Sequence, residues 1–392
     1  MTGPFSPYRL AGLSLRNRVI KAATYEGMTP GAQVSDALVE HHRALAKGGV
    51  AMTTVAYCAV APDGRTFRDQ LYMRPSLVPQ LRRLTDAVHA EGAAASLQLG
   101  HCGSFCNNHD LERSRPLGPS RAFNKLGALS GRPIADAMSS DDIERITNEF
   151  VVAATLAREA GFDAVELHLG HGYLLSQFLS PATNRRRDQH GGGLENRARF
   201  ALAVVERVRA ALPPALPVLA KVNLRDGFPG GLELDDSVQL ARWLEARGCD
   251  ALVLSGGFVS RDPFYLFRGE RPLRAMIAVE KSVAQKVALA LFGPFVIRAH
   301  PFEPMYFLPL AREVRRAVRL PLVLLGGLTS VEHLQIAAGE GFELVAMARA
   351  LIHDPGLIGR YAAGQAQVSG CVPCNLCVAE MDRPGGVRCA RR

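Results

Sequence analysis

One local pattern recurs along this chain: a helical stretch ends at a glycine, and a short apolar run follows within a few residues. The instances are AKGGVAMTTVAY, AEGAAASLQL, EAGFDAVELHL, ARGCDALVLSG and GEGFELVAMA. A glycine just past a helix adopts the left-handed cap conformation at no steric cost. An apolar run after it is typical of a strand buried on both faces of a parallel sheet. The recurrence therefore predicts repeated βα units.

Eight strands are predicted, at 19–24, 50–57, 93–99, 164–169, 218–223, 251–256, 321–327 and 344–349. The helices between them include 35–47, 76–91, 140–160, 195–211, 236–247, 309–319 and 330–340. Ser139 and Ser140, followed by Asp141 and Asp142, predict the N-terminal cap of the third helix. Eight alternating units favour a closed (β/α)8 TIM barrel over an open doubly wound sheet, and catalytic residues of such barrels lie at the C-terminal ends of the strands.

We expect two parts in this α/β chain. Residues 1–365 form the barrel, and residues 366–392 form a Cys-rich C-terminal extension. The connection between strands six and seven is far longer than one helix needs, so 257–308 is an insertion on the catalytic face, rich in aromatic and basic residues. We expect it to wall the substrate pocket; an oligomer contact or an inert addition is the alternative.

The chain carries 46 Lys and Arg against 37 Asp and Glu, a net charge of +9. The basic residues are scattered, with the longest run at Arg185–Arg187, which indicates anionic small ligands rather than nucleic acid. The longest apolar stretch, Val287–Ile297, is broken by Gly293-Pro294 and is too short to cross a membrane. The N-terminus lacks a secretory signal pattern. We expect a cytoplasmic protein that binds neither nucleic acid nor membrane.

Strand four ends in Glu166-Leu-His168-Leu-Gly-His171-Gly-Tyr173. Alternate residues of a strand point the same way, so His168 faces the barrel mouth if Glu166 does. Two imidazoles and a phenol at the end of a strand can bind an anionic oxygen and deliver a proton. We therefore predict that His168, His171 and Tyr173 are catalytic.

Two other strands end in polar side chains that suit a cofactor ring. Gln98 ends strand three, and its amide can donate to and accept from the edge of a heteroaromatic ring. Lys221 lies among the apolar residues of strand five, where an ammonium is costly unless it meets an anion. An electron-rich cofactor ring would explain both.

The last two strands end in residues that suit a phosphate. Strand seven ends in the pair Gly326 and Gly327, and strand eight ends in Ala348 and Arg349. Barrels commonly bind phosphate at the loops after strands seven and eight. Exposed backbone N–H groups at a glycine pair and an arginine fork fit that task.

Four cysteines crowd the C-terminus with the spacing Cys371-x2-Cys374-x2-Cys377-x11-Cys389. Four thiolates at this spacing can ligate a [4Fe–4S] cluster or a zinc ion, and free thiols are the third interpretation. The remaining cysteines are interpreted as core or pocket residues: Cys58, Cys102, Cys106 and Cys249.

The segment 171–200, HGYLLSQFLSPATNRRRDQHGGGLENRARF, resembles the signature of the Old Yellow Enzyme family. LRNRVIKAAT at 15–24, QLGHCG at 98–103, and LLGGL with ARALIHDP extend the resemblance over nearly the whole chain. It implies a TIM barrel, noncovalent FMN and reduction by NADH or NADPH. The cysteine spacing resembles the trimethylamine dehydrogenase and 2,4-dienoyl-CoA reductase branch, of which we expect the barrel module only, without the FAD- and NAD-binding module.

The resemblance implies that Gln98 and Lys221 contact the flavin ring and that Gly327 and Arg349 hold its phosphate. The family usually has arginine at the position of Lys221. It also usually places Thr or Cys beside the flavin after the first strand. Tyr25 stands there in this chain, preceded by Ala23 where proline is common, so these two residues are expected at the cofactor and leave redox tuning and substrate choice open.

The function implied is an ene-reductase, in which His168 and His171 hold the carbonyl oxygen of an α,β-unsaturated substrate and Tyr173 protonates its α carbon. One alternative is a flavin and iron–sulfur dehydrogenase that passes electrons from amine or C–H oxidation to an external electron-transfer partner. The other, from a different class, is a barrel that binds a phosphorylated ligand without redox chemistry, or a flavin-bearing interaction subunit. We expect a small-molecule substrate and a homo-oligomer.

Overall fold

The computed structural model of this protein describes residues 3–108, 111, 114–128 and 131–392. Eight parallel strands form a closed barrel, and each pairs with the next in chain order until β8 pairs with β1. The strands are β1 (Val19–Lys21), β2 (Met52–Ala59), β3 (Ala94–Gly100), β4 (Ala164–Leu169), β5 (Val218–Asn223), β6 (Ala251–Ser255), β7 (Leu322–Leu325) and β8 (Leu344–Met347). The predicted (β/α)8 TIM barrel is confirmed.

Seven of the helices in the described residues lie close to the predicted ranges, and the others were not predicted. The helices are α1 (Asp36–Lys47), α2 (Val78–Ala90), α3 (Ser140–Glu159), α4 (Leu174–Leu179), α5 (Leu194–Ala211), α6 (Leu234–Ala246), α7 (Pro263–Phe267), α8 (Leu273–Val279), α9 (Val283–Val296), α10 (Leu308–Ala317), α11 (Val331–Gly339), α12 (Arg349–His353), α13 (Leu357–Ala362) and α14 (Cys377–Glu380). A hairpin of Tyr8–Leu10 and Leu13–Leu15 precedes the barrel, and a small sheet of Leu117–Gly118, Ala122–Phe123 and Ile134–Ala137 lies between β3 and α3.

Local sequence signals explain where the elements begin and end. Ser139 caps α3 and exchanges hydrogen bonds with Asp142 in a capping box, as the sequence predicts. The glycines that follow the helices all have positive φ, between 70° and 106°: Gly49, Gly92, Gly161, Gly248 and Gly341. All eight barrel strands are buried along their whole length, as expected for a parallel barrel covered by helices.

The insertion between β6 and α10 differs from expectation. Only the helix that became α10 was predicted there, but α7, α8 and α9 also form. Gly293 and Pro294, which interrupt the apolar stretch of the sequence, do not end the helix: α9 continues to Val296 with Pro294 in its last turn. A proline so close to the C-terminal end of a helix disrupts only the final turn. Among the described residues, no helix combines the length and apolar character needed to cross a membrane.

The two ends of the insertion have different surroundings. Its first residues lie against the end of β4, where the amide of Val259 donates to the carbonyl of His171 at 2.9 Å. In contrast, α9 exposes apolar side chains, including Val283 at 76% and Phe295 at 84%. The start of the insertion therefore lies beside the end of β4, whereas α9 carries an exposed apolar face.

The C-terminal extension packs back onto the catalytic face. The amide of Ser369 donates to the carbonyl of Thr329 after β7 at 2.7 Å, and the amide of Val387 donates to the carbonyl of Glu26 after β1 at 2.7 Å. These contacts bring the cysteines close to the loops that end the first, seventh and eighth strands.

Candidate active site

His168, His171 and Tyr173 converge at the end of β4. The rings of His168 and His171 are 4.9 Å apart and nearly perpendicular, and the ring of Tyr173 lies 4.6 Å from His168. The structure thus brings together all three residues that the sequence predicted to be catalytic.

Backbone and side-chain contacts hold His171 in an uncommon conformation. Its φ is +59°, and its amide donates to the Oδ1 of Asn223 at 2.9 Å. Its Nε2 lies 2.7 Å from the hydroxyl of Ser255 at the end of β6. A non-glycine residue with positive φ persists where its surroundings determine its position, which is frequent at functional sites. The neighbouring strands β5 and β6 therefore aim this imidazole.

Both imidazoles are neutral near pH 7. Burial, then His171 and Lys221, hold the pKa of His168 well below its usual range. Burial, then Lys221, lowers the pKa of His171 to about 3. The amide of Gly170 points at Nδ1 of His168 at 3.4 Å, which leaves the proton of the neutral ring on Nε2. His168 can therefore donate a hydrogen bond from Nε2 without carrying charge.

Tyr173 keeps its proton because burial raises the pKa of its phenol. Its ring packs edge-on against Tyr57 at 5.0 Å and against Phe105 at 6.3 Å. The hydroxyl of Tyr57 is committed to the carbonyl of Gly64 at 3.0 Å and to the hydroxyl of Thr66 at 2.9 Å. Tyr173 is thus a protonated phenol in a fixed position, and Tyr57 is part of its support.

Lys221, Glu166 and Gln98 form one buried network on three adjacent strands. Lys221 Nζ lies 2.8 Å from Glu166 Oε1, and the Gln98 amide donates to the same oxygen at 2.6 Å. The ammonium keeps further N–H groups and the amide keeps its carbonyl oxygen, so both retain hydrogen-bonding capacity. The anion that the sequence required for Lys221 is therefore supplied first by Glu166, which also orients Gln98.

A second buried ammonium was missed by the sequence interpretation. Lys21 on β1 bonds Glu26 Oε1 at 2.5 Å and the carbonyl of Thr54 at 3.2 Å. Burial raises the pKa of Glu26, but Lys21 and the buried His42 outweigh it and bring the value to about 2. The signal was available, because Lys21 interrupts an apolar strand as Lys221 does and an acid follows five residues later.

Tyr25 and Ala23 follow β1 beside this network. Both are partly buried, and the ring of Tyr25 packs on Phe67 at 5.4 Å. Burial, followed by Asp382 of the extension, raises the pKa of Tyr25, so its phenol is also protonated. Thr24 lies between Ala23 and Tyr25 in the sequence, and its buried hydroxyl has no hydrogen-bond partner among the described residues. A buried polar atom in that state is typical of a ligand contact.

Gly326 and Gly327 have φ of 101° and 75°, and their backbone lies close to residues of the insertion. A Cβ on Gly326 would lie 2.6 Å from the ring of Phe307 and 2.8 Å from that of Tyr306. On Gly327 it would lie 2.8 Å from the amide nitrogen of Met305. These glycines are therefore needed for the close approach of 303–307, in addition to any role at a phosphate.

Arg349 points toward the insertion and the extension. Its guanidinium donates to the carbonyl of Arg268 at 2.9 Å and to the side chain of Asn375. Arg268, which the sequence interpretation did not single out, stacks on Tyr306 at 4.9 Å, and its buried Nε has no hydrogen-bond partner among the described residues. Two guanidinium groups thus lie beside the ends of β7 and β8, and Ala348 is the cap residue of α12 there.

The four C-terminal cysteines line one cavity together with Arg349 and His353. The Nδ1 of His353 lies 3.3 Å from the Sγ of Cys389. Within the described ranges, no three His, Cys, Asp or Glu side chains are grouped as ligands of a metal ion. The role of the four cysteines as metal ligands therefore stays a prediction.

A barrel mouth with buried ammonium groups, neutral imidazoles and protonated phenols defines an enzyme that can stabilise negative charge on a small substrate and supply a proton. The model of the NADH:flavin oxidoreductase / NADH oxidase family matches residues 4–259. The chain belongs to this family, and the resemblance to the Old Yellow Enzyme family is confirmed. It is an NAD(P)H:flavin oxidoreductase of the FMN-dependent type.

The chain is 44% identical to the 4,4′-dithiodibutanoate disulfide reductase of Rhodococcus erythropolis over 99% of this chain and 94% of that protein. It is 31% identical to the metal reductase of Desulforamulus reducens over 98% of this chain, but spans only 52% of that protein. The fold matches that of a 2-naphthoyl-CoA reductase complex with a TM-score of 0.79, at 23% identity, over 96% of this chain and 54% of the other.

Proposed function

We propose that this protein binds FMN at the barrel mouth and uses NAD(P)H to reduce the activated C=C bond of an α,β-unsaturated carbonyl compound. The observation that carries the proposal is the cluster of His168, His171 and Tyr173. The ring centroids of His171 and Tyr173 lie 4.9 Å and 4.6 Å from that of His168. Neutral N–H donors and a protonated phenol grouped at the barrel mouth are what enolate formation and protonation require.

The ring of the flavin is assigned to the network of Gln98, Lys221 and Thr24. The amide oxygen of Gln98 and the free N–H groups of Lys221 suit the polar edge of the ring, and the unpartnered hydroxyl of Thr24 is a further contact. These residues fit the cofactor, which when bound takes two electrons from NAD(P)H and passes them to the substrate. Lys221 would stabilise negative charge on the reduced ring.

The phosphate end is assigned to Gly327, Arg349 and Arg268. Arg349 was expected there, and Arg268 is added because its Nε is buried without a partner beside Tyr306. Tyr25 and Ala23 border the ring on the β1 side. The side chain of Asn375 accepts a hydrogen bond from Arg349. FMN binding therefore requires the Arg349 guanidinium to divide its N–H donors between Asn375 and the phosphate.

In the reduction itself, His168 donates a hydrogen bond from Nε2 to the carbonyl oxygen, and His171 lies beside it as the second contact. Because both rings are neutral, they polarise the carbonyl without giving up a proton. Tyr173 then protonates the α carbon from its hydroxyl. Water is excluded by the packing of Tyr57 and Phe105 on Tyr173.

A second function is favoured by the relative that is 44% identical over nearly the full length of both chains. Its name describes a disulfide reductase, and reduction of a small organic disulfide consumes the same two electrons from NAD(P)H. The net charge of +9 suits an anionic disulfide of that kind.

For the extension, we propose that Cys371, Cys374, Cys377 and Cys389 hold a [4Fe–4S] cluster. All four line one cavity, and four thiolates at this spacing can ligate such a cluster. An electron-transfer partner would then exchange electrons with the protein at this cluster.

The test is an anaerobic visible spectrum of the purified protein before and after NADPH, followed by 2-cyclohexenone or 4,4′-dithiodibutanoate. Flavin bands should bleach with NADPH and return with the accepted substrate, and iron analysis with a residual broad absorption would indicate the cluster. A protein that stays colourless after incubation with FMN would contradict the proposal.

A further inference from the structure

The helix α9 of the insertion carries large apolar side chains that the described part of the chain leaves uncovered. Six of its residues are 51% to 84% exposed, and they make up six of the eleven large hydrophobic residues that are exposed among the described residues. These six are Val283, Val287, Leu291, Phe292, Phe295 and Val296. Single exposed apolar residues are normal on a protein surface, whereas a contiguous group of them marks an interaction site.

The helical spacing places these side chains on one side of α9. Residues four apart lie above one another on a helix, and the first row at this interval is Val283, Val287, Leu291 and Phe295. Phe292 and Val296 form a second row beside its C-terminal half. At about 1.5 Å per residue, the helix is about 21 Å long. The two rows, which we call the α9 face, therefore form one continuous apolar strip.

The other side of α9 is held by the start of α8. A Cβ on Gly293 would lie 2.8 Å from Cδ1 of Leu273, so the two helices are in close contact there. The guanidinium of Arg271 donates to the carbonyls of Pro294 and Ile297 at 2.8 Å and 2.7 Å, which fixes the C-terminal end of α9. In turn, α8 packs against α14 of the extension. The α9 face is therefore presented outward on a helix that is anchored from behind.

The charge around the α9 face is positive. Residues 271–298 contain five basic residues against one acidic residue, Glu280, a net charge of +4. The basic residues are Arg271, Arg274, Lys281, Lys286 and Arg298. Asp382 of the extension lies near Lys281, but none of the five basic side chains forms an ion pair with another described residue. An apolar helix face flanked by unpaired Lys and Arg is typical of a segment that binds an anionic lipid surface.

A second copy of this chain would bring the same charge to the α9 face. Antiparallel pairing of two α9 helices would place Lys281 beside Arg298 of the other copy, and parallel pairing would place the two Lys286 side chains together. Like charges facing each other oppose such an association. Anionic lipid head groups instead have the complementary charge, and the acyl chains below them accept apolar side chains.

We propose that the α9 face docks the protein onto membranes that contain anionic lipids, with α9 lying in the plane of the interface. The two apolar rows enter the boundary between head groups and acyl chains, and Lys286 and Arg298 contact the head groups. This replaces the expectation from the sequence that the chain binds no membrane. That expectation considered only whether the stretch could cross a bilayer, and a stretch too short to cross can still lie along the surface. The proposal does not depend on the flavin or on the reaction.

The test is sedimentation of the purified full-length protein with large unilamellar vesicles. One preparation contains phosphatidylcholine alone, and the other contains equal parts of phosphatidylglycerol and phosphatidylcholine. We expect the partition coefficient to be at least about 10-fold higher on the phosphatidylglycerol vesicles at about 0.1 M salt, and to fall at about 1 M salt, where the charges are screened. Absence of binding to the phosphatidylglycerol vesicles, or equal binding to both preparations, would overturn the proposal.

Single variants test whether the α9 face is the surface that binds. Val283→Gln and Phe295→Gln should each lower the partition coefficient on phosphatidylglycerol vesicles about 10-fold or more, because an apolar side chain no longer leaves water. The matched control is Val152→Gln, which changes an exposed valine on α3 and should bind as wild type does. Thermal unfolding of each variant controls for folding. Partition of both α9 variants equal to that of wild type would contradict the proposal.

Analytical ultracentrifugation without lipid tests the second copy as the occupant. We expect wild type and the double variant Leu291→Asp/Phe295→Asp to have the same oligomeric state. An oligomer of wild type that dissociates in the double variant would assign the α9 face to contacts between copies and overturn membrane docking.

Discussion

The two ends of the catalytic face are built differently. At the end of β4, His168, His171 and Tyr173 come from six consecutive residues, and neighbouring strands hold them in place. At the ends of β7 and β8, Arg349 meets Arg268 from the insertion and Asn375 from the extension, which are separated from it by 81 and 26 residues. The comparison indicates that the substrate end is local and rigid, whereas the phosphate end depends on how distant segments pack.

The largest effect is expected from removing the proton donor at the substrate end. Tyr173→Phe should slow the reoxidation of reduced flavin by 2-cyclohexenone about 10²- to 10⁴-fold, the usual contribution of general acid catalysis. Stopped-flow absorbance measures this step. Reduction by NADPH, recorded in the same variant, controls for FMN loading.

Tyr57→Phe is the matched control, because its hydroxyl is already bonded to Gly64 and Thr66 and cannot reach the substrate. If reduced flavin is reoxidised as fast in Tyr173→Phe as in wild type, Tyr173 is not the proton donor at the substrate end.

The next largest effect is expected from the buried ion pair of Glu166 and Lys221. Glu166→Leu leaves the buried ammonium of Lys221 without its anion, so the free energy of unfolding should fall by about 3–5 kcal/mol. Urea denaturation measures it. The double variant Glu166→Leu/Lys221→Met should recover most of the loss, since no unpaired charge is left; failure to recover would show that the carboxylate acts through Gln98 instead.

The phosphate end should respond in cofactor affinity. Arg349→Met and Arg268→Met should each raise the dissociation constant for FMN about 10- to 100-fold, because a hydrogen bond to a charged group contributes about 1.5–3 kcal/mol. Fluorescence titration of the apoprotein measures it. Asn375→Ala, which removes an amide that holds Arg349, should stay closer to wild type than either arginine variant. The reverse order would mean that Arg349 only anchors the extension.

The smallest effect, for a change of one pH unit, is a pH dependence of stability. The pKa of His171 is about 3 in the folded protein and near 6.5 when unfolded, so the unfolded state binds more protons between these values. Stability should therefore fall as pH falls from about 6.5 toward 3, by at most about 1.4 kcal/mol per pH unit for this residue. His171→Gln should flatten the slope in urea melts over that window; an unchanged slope would mean that His171 is protonated in the folded state.

The sequence predicted the substrate end well because its residues are neighbours along one strand and loop. A period-2 pattern places Glu166 and His168 on one side, and the loop follows within reach. It did not identify Lys21, although the same reasoning that singled out Lys221 applies to it. It did not identify the contacts of Cys102 and Cys106 with the carbonyl groups of Asp63 and Arg65, because these contacts arise from how two loops pack.

What the sequence by itself determined was the repeated βα unit, and with it the closed barrel and the end of the strands at which polar side chains collect. That follows because helix caps and doubly buried strands are set by short-range sterics and hydrophobicity. Only the tertiary structure decided which distant groups meet: Arg349 with Arg268 and Asn375, Glu26 with Val387, and Phe105 with Tyr173. Such pairings depend on the packing of long connections, and no local sequence pattern predicts them.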